Sequence, residues 1–152
     1  MDQQFEIIEL QKQPALSVRQ TASVNNMPMV IGQAYHAIIA HLDKLGEQPA
    51  GIPFVAYYNM DMENLDIEIG FPTAKELTGQ GQVSASYIPA GKAATFTHKG
   101  PYQEMAPAYD AINLWLAEQK QEPTGVVYEF YYNSPAEVPE TELLTKVVFI
   151  LK

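Results

Sequence analysis

Glu129 is the acidic side chain in the most demanding setting of this sequence. It sits in the run Val126-Val127-Tyr128-Glu129-Phe130-Tyr131-Tyr132, which is otherwise apolar or aromatic. Side chains of a strand alternate between faces, so Val127, Glu129 and Tyr131 point one way and Val126, Tyr128, Phe130 and Tyr132 the other. A carboxylate placed among tyrosines suits an apolar cation. The rings supply dispersion and cation–π attraction of about 0.5–2 kcal/mol each, and the carboxylate supplies opposite charge. The bland alternative is an edge-strand glutamate reaching water or pairing with Lys92, Lys146 or Arg19.

An internal repeat decides between the two. Ala34–Asn59 aligns without gaps to Ala108–Asn133, with ten of 26 positions identical, Tyr35/Tyr109, Tyr57/Tyr131 and Asn59/Asn133 among them. In that alignment Glu129 stands opposite Val55. The duplicated scaffold therefore accepts an apolar residue at this place and does not need the acid to fold. Tyr57 and Tyr131, which share the side-chain direction of Val55 and Glu129, are the next candidates to line a ligand site.

The elements that must position these residues follow from periodicity. Apolar residues at helical spacing mark one amphipathic helix over 29–45 and another over 104–119. Pro49-Ala50-Gly51 and Pro123-Thr124-Gly125 then break the chain before β-rich runs at Ile52–Asn59 and Val126–Asn133. Leu65–Phe71 and Leu144–Leu151 complete a hairpin in each copy, while Ala15–Thr21 and Gly91–His98 precede the helices. The pattern is a βαββ unit used twice: a first repeat over about 5–72, a linker over 73–90 and a second repeat over about 91–152. The expected fold is α+β, with an antiparallel sheet, pseudo-twofold symmetry, both helices on one side and a central ligand cleft. Thr78-Gly79-Gln80-Gly81 reads as flexible linker, and Glu63, Asp66 and Glu68 as the solvated face of a hairpin.

Composition narrows the function. With 152 residues, 47% of them apolar, the chain is long enough for one domain with a real core, and no apolar run approaches the roughly 20 residues of a spanning helix. Eighteen acidic against nine basic residues give a net charge of −9, and no lysine or arginine cluster exists to neutralise phosphates. Direct nucleic-acid binding and membrane insertion are not expected. Cysteine is absent, which excludes disulfides and thiol catalysis. No signal sequence is read at the N-terminus, so the cytoplasm is the expected location. His36, His41 and His98 have no metal-ligand spacing, and no metal or cofactor is expected.

The sequence resembles the GyrI-like small-molecule-binding family, which includes the effector-binding domains of multidrug-responsive transcription activators and a DNA gyrase-inhibitory protein. The matching pieces are Tyr57-Tyr58-Asn59 with Ile67–Pro72, Ile88-Pro89-Ala90-Gly91-Lys92, and His98-Lys99-Gly100-Pro101-Tyr102. Tyr128-Glu129-Phe130-Tyr131 with Asn133-Ser134-Pro135 and Glu142–Val147 complete the set. The resemblance implies a cleft for lipophilic cations with Glu129 as its acidic contact. The family's pockets are lined by variable aromatics, which places Tyr57, Tyr131, Trp115, Phe54 and Phe96 among the candidate ligand-binding residues. It also implies that His98 is a hydrogen-bonded residue at a strand end. No helix-turn-helix precedes Phe5, so a freestanding binder or sensor of such compounds is the leading expectation, without a catalytic role. Two further readings stay open: a hydrolase of reactive cyclopropane-bearing compounds with Glu129 as general base, and a protein inhibitor of a DNA topoisomerase.

Overall fold

The computed structural model describes residues 4–134 and 136–152. In chain order its elements are β1 (Glu6–Leu10), β2 (Gln13–Ala22), α1 (Met27–Leu45), β3 (Phe54–Tyr57), β4 (Leu65–Pro72), β5 (Ser84–Ile88), β6 (Gly91–Lys99), α2 (Ala106–Glu118), β7 (Pro123–Tyr131) and β8 (Leu144–Leu151). The α+β class and the doubled β-α-β-β order are as the repeat requires. Within each of the two parts 11–90 and 1–10 with 91–152, the strands pair antiparallel.

The chain divides into two compact units, residues 11–90 and residues 1–10 with 91–152. In the first unit the strand order is β3-β4-β2-β5, and in the second it is β1-β6-β8-β7. Each contains one βαββ repeat plus an outer strand, and that outer strand comes from the other half of the sequence. β1 immediately precedes β2 along the chain, yet it pairs with β6, Glu6 opposite Thr95 and Leu10 opposite Gly91. β5 immediately precedes β6, yet it pairs with β2, Gln13 opposite Ile88 and Ser17 opposite Ser84. The stretch expected to be linker is therefore partly strand. Its glycine-rich part is an ordered turn, closed by reciprocal backbone hydrogen bonds between Gln80 and Val83 of 2.8 and 3.1 Å.

In the unit of residues 11–90, α1 lays Ala34, Ile38 and Leu42, all nearly fully buried, against its sheet. Phe71 meets Tyr35 of α1 at 5.0 Å between ring centroids, which fixes the helix-facing side of β4. Ile67 and Ile69 share that side by alternation, as do Val18 and Val55, the two register partners of Ile69. Burying each large aliphatic side chain contributes about 1.5–3 kcal/mol. Phe54 faces the other way, over Gly70, its cross-strand neighbour. A methyl group on Gly70 would come within 2.7 Å of the Phe54 ring and 2.8 Å of the Leu16 carbonyl oxygen. Only glycine lets the ring lie on the strand. Gly70→Ala is accordingly expected to cost about 1–3 kcal/mol of stability through overpacking, measured by urea denaturation. An unchanged midpoint would mean that Phe54 swings aside freely.

Candidate functional site

The second unit surrounds Glu129 with its own aromatic residues. β7, β8 and β6 are adjacent, and their register sets Glu129 opposite Val147, which in turn lies opposite Phe96. Two residues along the same strands, Tyr131 faces Thr145 and Thr145 faces His98. α2 covers this side of the sheet. Ala108, Ile112 and Leu116 are its buried stripe, packed with Phe96, Val127, Val147 and Phe149, and Tyr109 stands one residue from Ala108 on the flank. Its ring lies 5.4 Å from Phe149 and 6.3 Å from Phe96, both edge-on.

Glu129 is 7% exposed. A carboxylate so deep needs hydrogen bonds, and two phenols provide them. The Tyr131 hydroxyl donates to Oε1 at 2.7 Å, and the Tyr109 hydroxyl donates to Oε2. Each carboxylate oxygen thus has a tyrosine of its own, one from the strand and one from the helix.

A third tyrosine closes in from the loop after β6. Gly100 takes φ +127°, a backbone conformation costly for any residue with a Cβ, and its N–H is bonded to the Leu143 carbonyl at 2.8 Å. The chain then turns through Pro101 into a single 3-10 turn, Tyr102–Glu104. The Tyr102 ring meets that of Tyr131 edge-on at 5.8 Å. Burial, followed by the negative charge of Glu129, raises the Tyr102 pKa above its ordinary value. His98 at the strand end faces the Pro101 carbonyl through Nε2 at 3.0 Å and so steadies the same turn.

Of the residues expected from sequence, Glu129, Tyr131 and Phe96 therefore lie in one neighbourhood. Trp115 is joined to it through Phe5, whose ring lies 5.6 Å from Trp115 and 5.7 Å from Phe96. Tyr57 and Phe54 belong to the unit of residues 11–90. There Tyr57 shares the Val55 side of β3 and Phe54 the opposite one. Tyr109 and Tyr102 are additional. Tyr109 carried a signal, since it is identical to Tyr35 across the repeat, and Tyr102 ends the His98–Tyr102 motif.

Glu68 departs from expectation. It is 7% exposed rather than solvated. Three hydroxyls donate to it: Ser17 at 2.6 Å, Ser86 at 2.5 Å and Tyr58 at 2.6 Å. Arg19 stacks on Tyr58, 3.8 Å from the ring centroid, and pairs with Asp66 at 2.7 Å. The Arg19 hydrogen bond holds the Asp66 carboxyl below its ordinary pKa. This same unit carries a groove of about 740 Å³ lined by Lys12, Pro14, Glu76, Leu77 and Tyr87 among others, and none of the expected site residues lines it.

The duplicated α+β scaffold is that of a small-molecule-binding domain. The chain belongs to the GyrI-like small molecule binding domain family, whose match spans residues 3–152. None of the curated proteins matches it. Among solved structures it is similar to EcmrR in a complex with DNA, with a TM-score of 0.85 and 21% identity over 99% of this chain; it spans only 57% of that EcmrR chain. It is also similar to a hydrolase from Listeria innocua, with a TM-score of 0.72 and 13% identity over 97% of this chain and 91% of the other. SAV2435 bound to tetraphenylphosphonium gives a TM-score of 0.68 and 8% identity over 98% and 94%. At these identities the likeness concerns the fold. Among the described residues, no helix is long and apolar enough to cross a membrane.

The charge of Glu129 has a spectroscopic consequence. A raised phenol pKa means that folding favours neutral Tyr102. The resulting stability is present below the ordinary tyrosine value near 10 and is lost as pH rises through the raised one. In Glu129→Gln the Tyr102 pKa should fall part of the way back, because burial, the larger cause, persists. Phenolate absorbance during alkaline titration, read as a difference from Tyr102→Phe in each background, measures it. A Tyr102 pKa indifferent to the substitution would place the Glu129 charge elsewhere.

Proposed function

We propose that this domain binds lipophilic cations, with Glu129 as the acidic contact and Tyr109, Tyr131, Tyr102 and Phe96 as aromatic walls. The observation that carries this reading is a carboxylate 7% exposed, held by two tyrosine hydroxyls, at a place where the repeat has Val55. Hydroxyl donors satisfy the acid without neutralising it, as a lysine or arginine partner would. A cationic ligand would complement that charge. The net charge of −9 favours the approach of cations and disfavours anions. A structural relative with tetraphenylphosphonium bound supports the same ligand class. Trp115, beyond Phe5, is an outer candidate for the lining.

The decisive comparison is between a lipophilic cation and its neutral isostere. Opposite charges about 4 Å apart gain on the order of 4 kcal/mol at an effective dielectric near 20, and desolvation takes back part of it. A preference of about 1–3 kcal/mol for the cation is expected, and Glu129→Gln should erase most of it with the fold intact. Calorimetric titration of both ligands against both proteins tests this. Equal loss of affinity for the two ligands would indicate a steric role for Glu129, and an unchanged preference would move the site.

A second reading rests on the Tyr109–Glu129 hydrogen bond. A phenol in such contact with a carboxylate can pass a proton to a substrate with Glu129 as base, and one similar structure is that of a hydrolase. Hydrolysis of a cyclopropane-bearing compound, followed by mass spectrometry and lost in Glu129→Gln, would establish it.

A further inference from the structure

Beside Glu129 lie two buried polar atoms that find no protein partner among the described residues, Nδ1 of His98 and Oγ1 of Thr145. The two residues are 5% and 0% exposed, and they are direct cross-strand neighbours on β6 and β8. Thr145 is in turn the cross-strand neighbour of Tyr131, whose hydroxyl donates to Glu129. Directly opposed residues of antiparallel strands share a face. His98, Thr145 and Tyr131 thus form a row on the side of the sheet that carries Glu129, two residues along the strands; Thr145, diagonal to Glu129, lies about 7–8 Å from it, and His98 lies one strand spacing, about 4.8 Å, further across the sheet.

For the neutral imidazole, the tautomer of His98 follows from its other nitrogen. Nε2 faces the Pro101 carbonyl, which can only accept, so Nε2 carries the proton and Nδ1 of the neutral ring presents a lone pair. The Thr145 hydroxyl can donate or accept. An acceptor and a hydroxyl left without protein partners in an apolar interior are costly. Valine at position 145 would avoid half of that cost while keeping the side-chain shape. A ligand that brings its own polar hydrogen to the pair makes the arrangement useful.

We propose that His98 Nδ1 and Thr145 Oγ1 form a hydrogen-bonding subsite, so that the preferred ligand is an apolar ammonium ion bearing a second N–H or O–H donor about 7–8 Å from its charge. This deepens the cation-binding reading and rests on it. The carboxylate takes the charge, and the subsite reads the distal donor. Permanently charged cations without a donor use the first contact alone.

Tyramine and 4-methoxyphenethylamine, both protonated at neutral pH, carry the same ring and charge and differ in whether the distal oxygen has a hydrogen. Calorimetric titration of the wild-type protein should show tyramine binding about tenfold more tightly. Thr145→Val should bring the ratio close to one chiefly by weakening tyramine, while Thr145→Ser should preserve it. Without ligand, Thr145→Val should raise the melting temperature by a few degrees, because an unpaired hydroxyl is removed. A lowered melting temperature would reveal a structural partner for the hydroxyl and overturn the proposal, as would tyramine binding no tighter than its ether, or a ratio indifferent to Thr145→Val. Glu129→Gln keeps the two readings apart. A ratio preserved while both affinities fall supports both contacts. A ratio abolished by Thr145→Val, with both affinities indifferent to Glu129→Gln, leaves the subsite standing and removes the acidic contact.

Discussion

Keeping the Glu129 carboxylate out of water constrains the second unit more than any other interaction in it. A buried acid is tolerated only where hydrogen bonds replace its hydration, and here they come from two different elements. Tyr131 fixes the register of β7, because slipping the strand by one residue would turn Glu129 and Tyr131 to the other face. Tyr109 fixes the rotation of α2, because a turn of the helix about its axis would carry the hydroxyl away while the stripe of Ala108, Ile112 and Leu116 lost its seat. Apolar packing and polar satisfaction thus select the same arrangement, a consistency expected of a well-specified site.

The two repeats handle charge differently within a shared frame. The tyrosine positions survive duplication, Tyr35 matching Tyr109 and Tyr57 matching Tyr131, while Val55 takes the place of the acid. The unit of residues 11–90 nevertheless buries a carboxylate of its own. Glu68 lies on the sheet face turned away from α1 and is held by Ser17, Ser86 and Tyr58. Duplication therefore preserved the scaffold and let the placement of polar chemistry diverge.

Much of this was legible in the sequence. Helical spacing located α1 and α2 to within about two residues, and alternating runs located the strands of both repeats. Glu129 stood out because a strand otherwise apolar or aromatic gives an acid no ordinary reason to be there. Glu68 escaped notice because its alternation with Asp66 and Gly70 looks like a solvated hairpin face. The hydroxyls that bury it arrive from β2, from β5 and from the end of β3, and no local pattern announces them. β1 and β5 were missed for a related reason. They are short, and exposed residues such as Glu6, Glu9, Ser84 and Tyr87 blur their period, so only their partners make them strands. Tyr102 depends on the Gly100 conformation, which is readable as a turn but not as an aim.

The outer strands also decide how the chain can be assembled. It passes between units at Leu10–Gln11 and again at Ala90–Gly91, both within short turns, so neither half of the sequence contains all the strands of the unit it mainly builds. During synthesis β1 must wait for β6, roughly ninety positions downstream, and closing so long a loop is an entropic cost met before any pairing is gained. The first repeat can complete its sheet as soon as β5 has emerged, whereas the unit bearing Glu129 closes only when β1 joins strands made much later. β1 and β8, far apart along the chain, are thereby built into the same piece of structure, and a break near either of them strikes the unit bearing Glu129 rather than its neighbour.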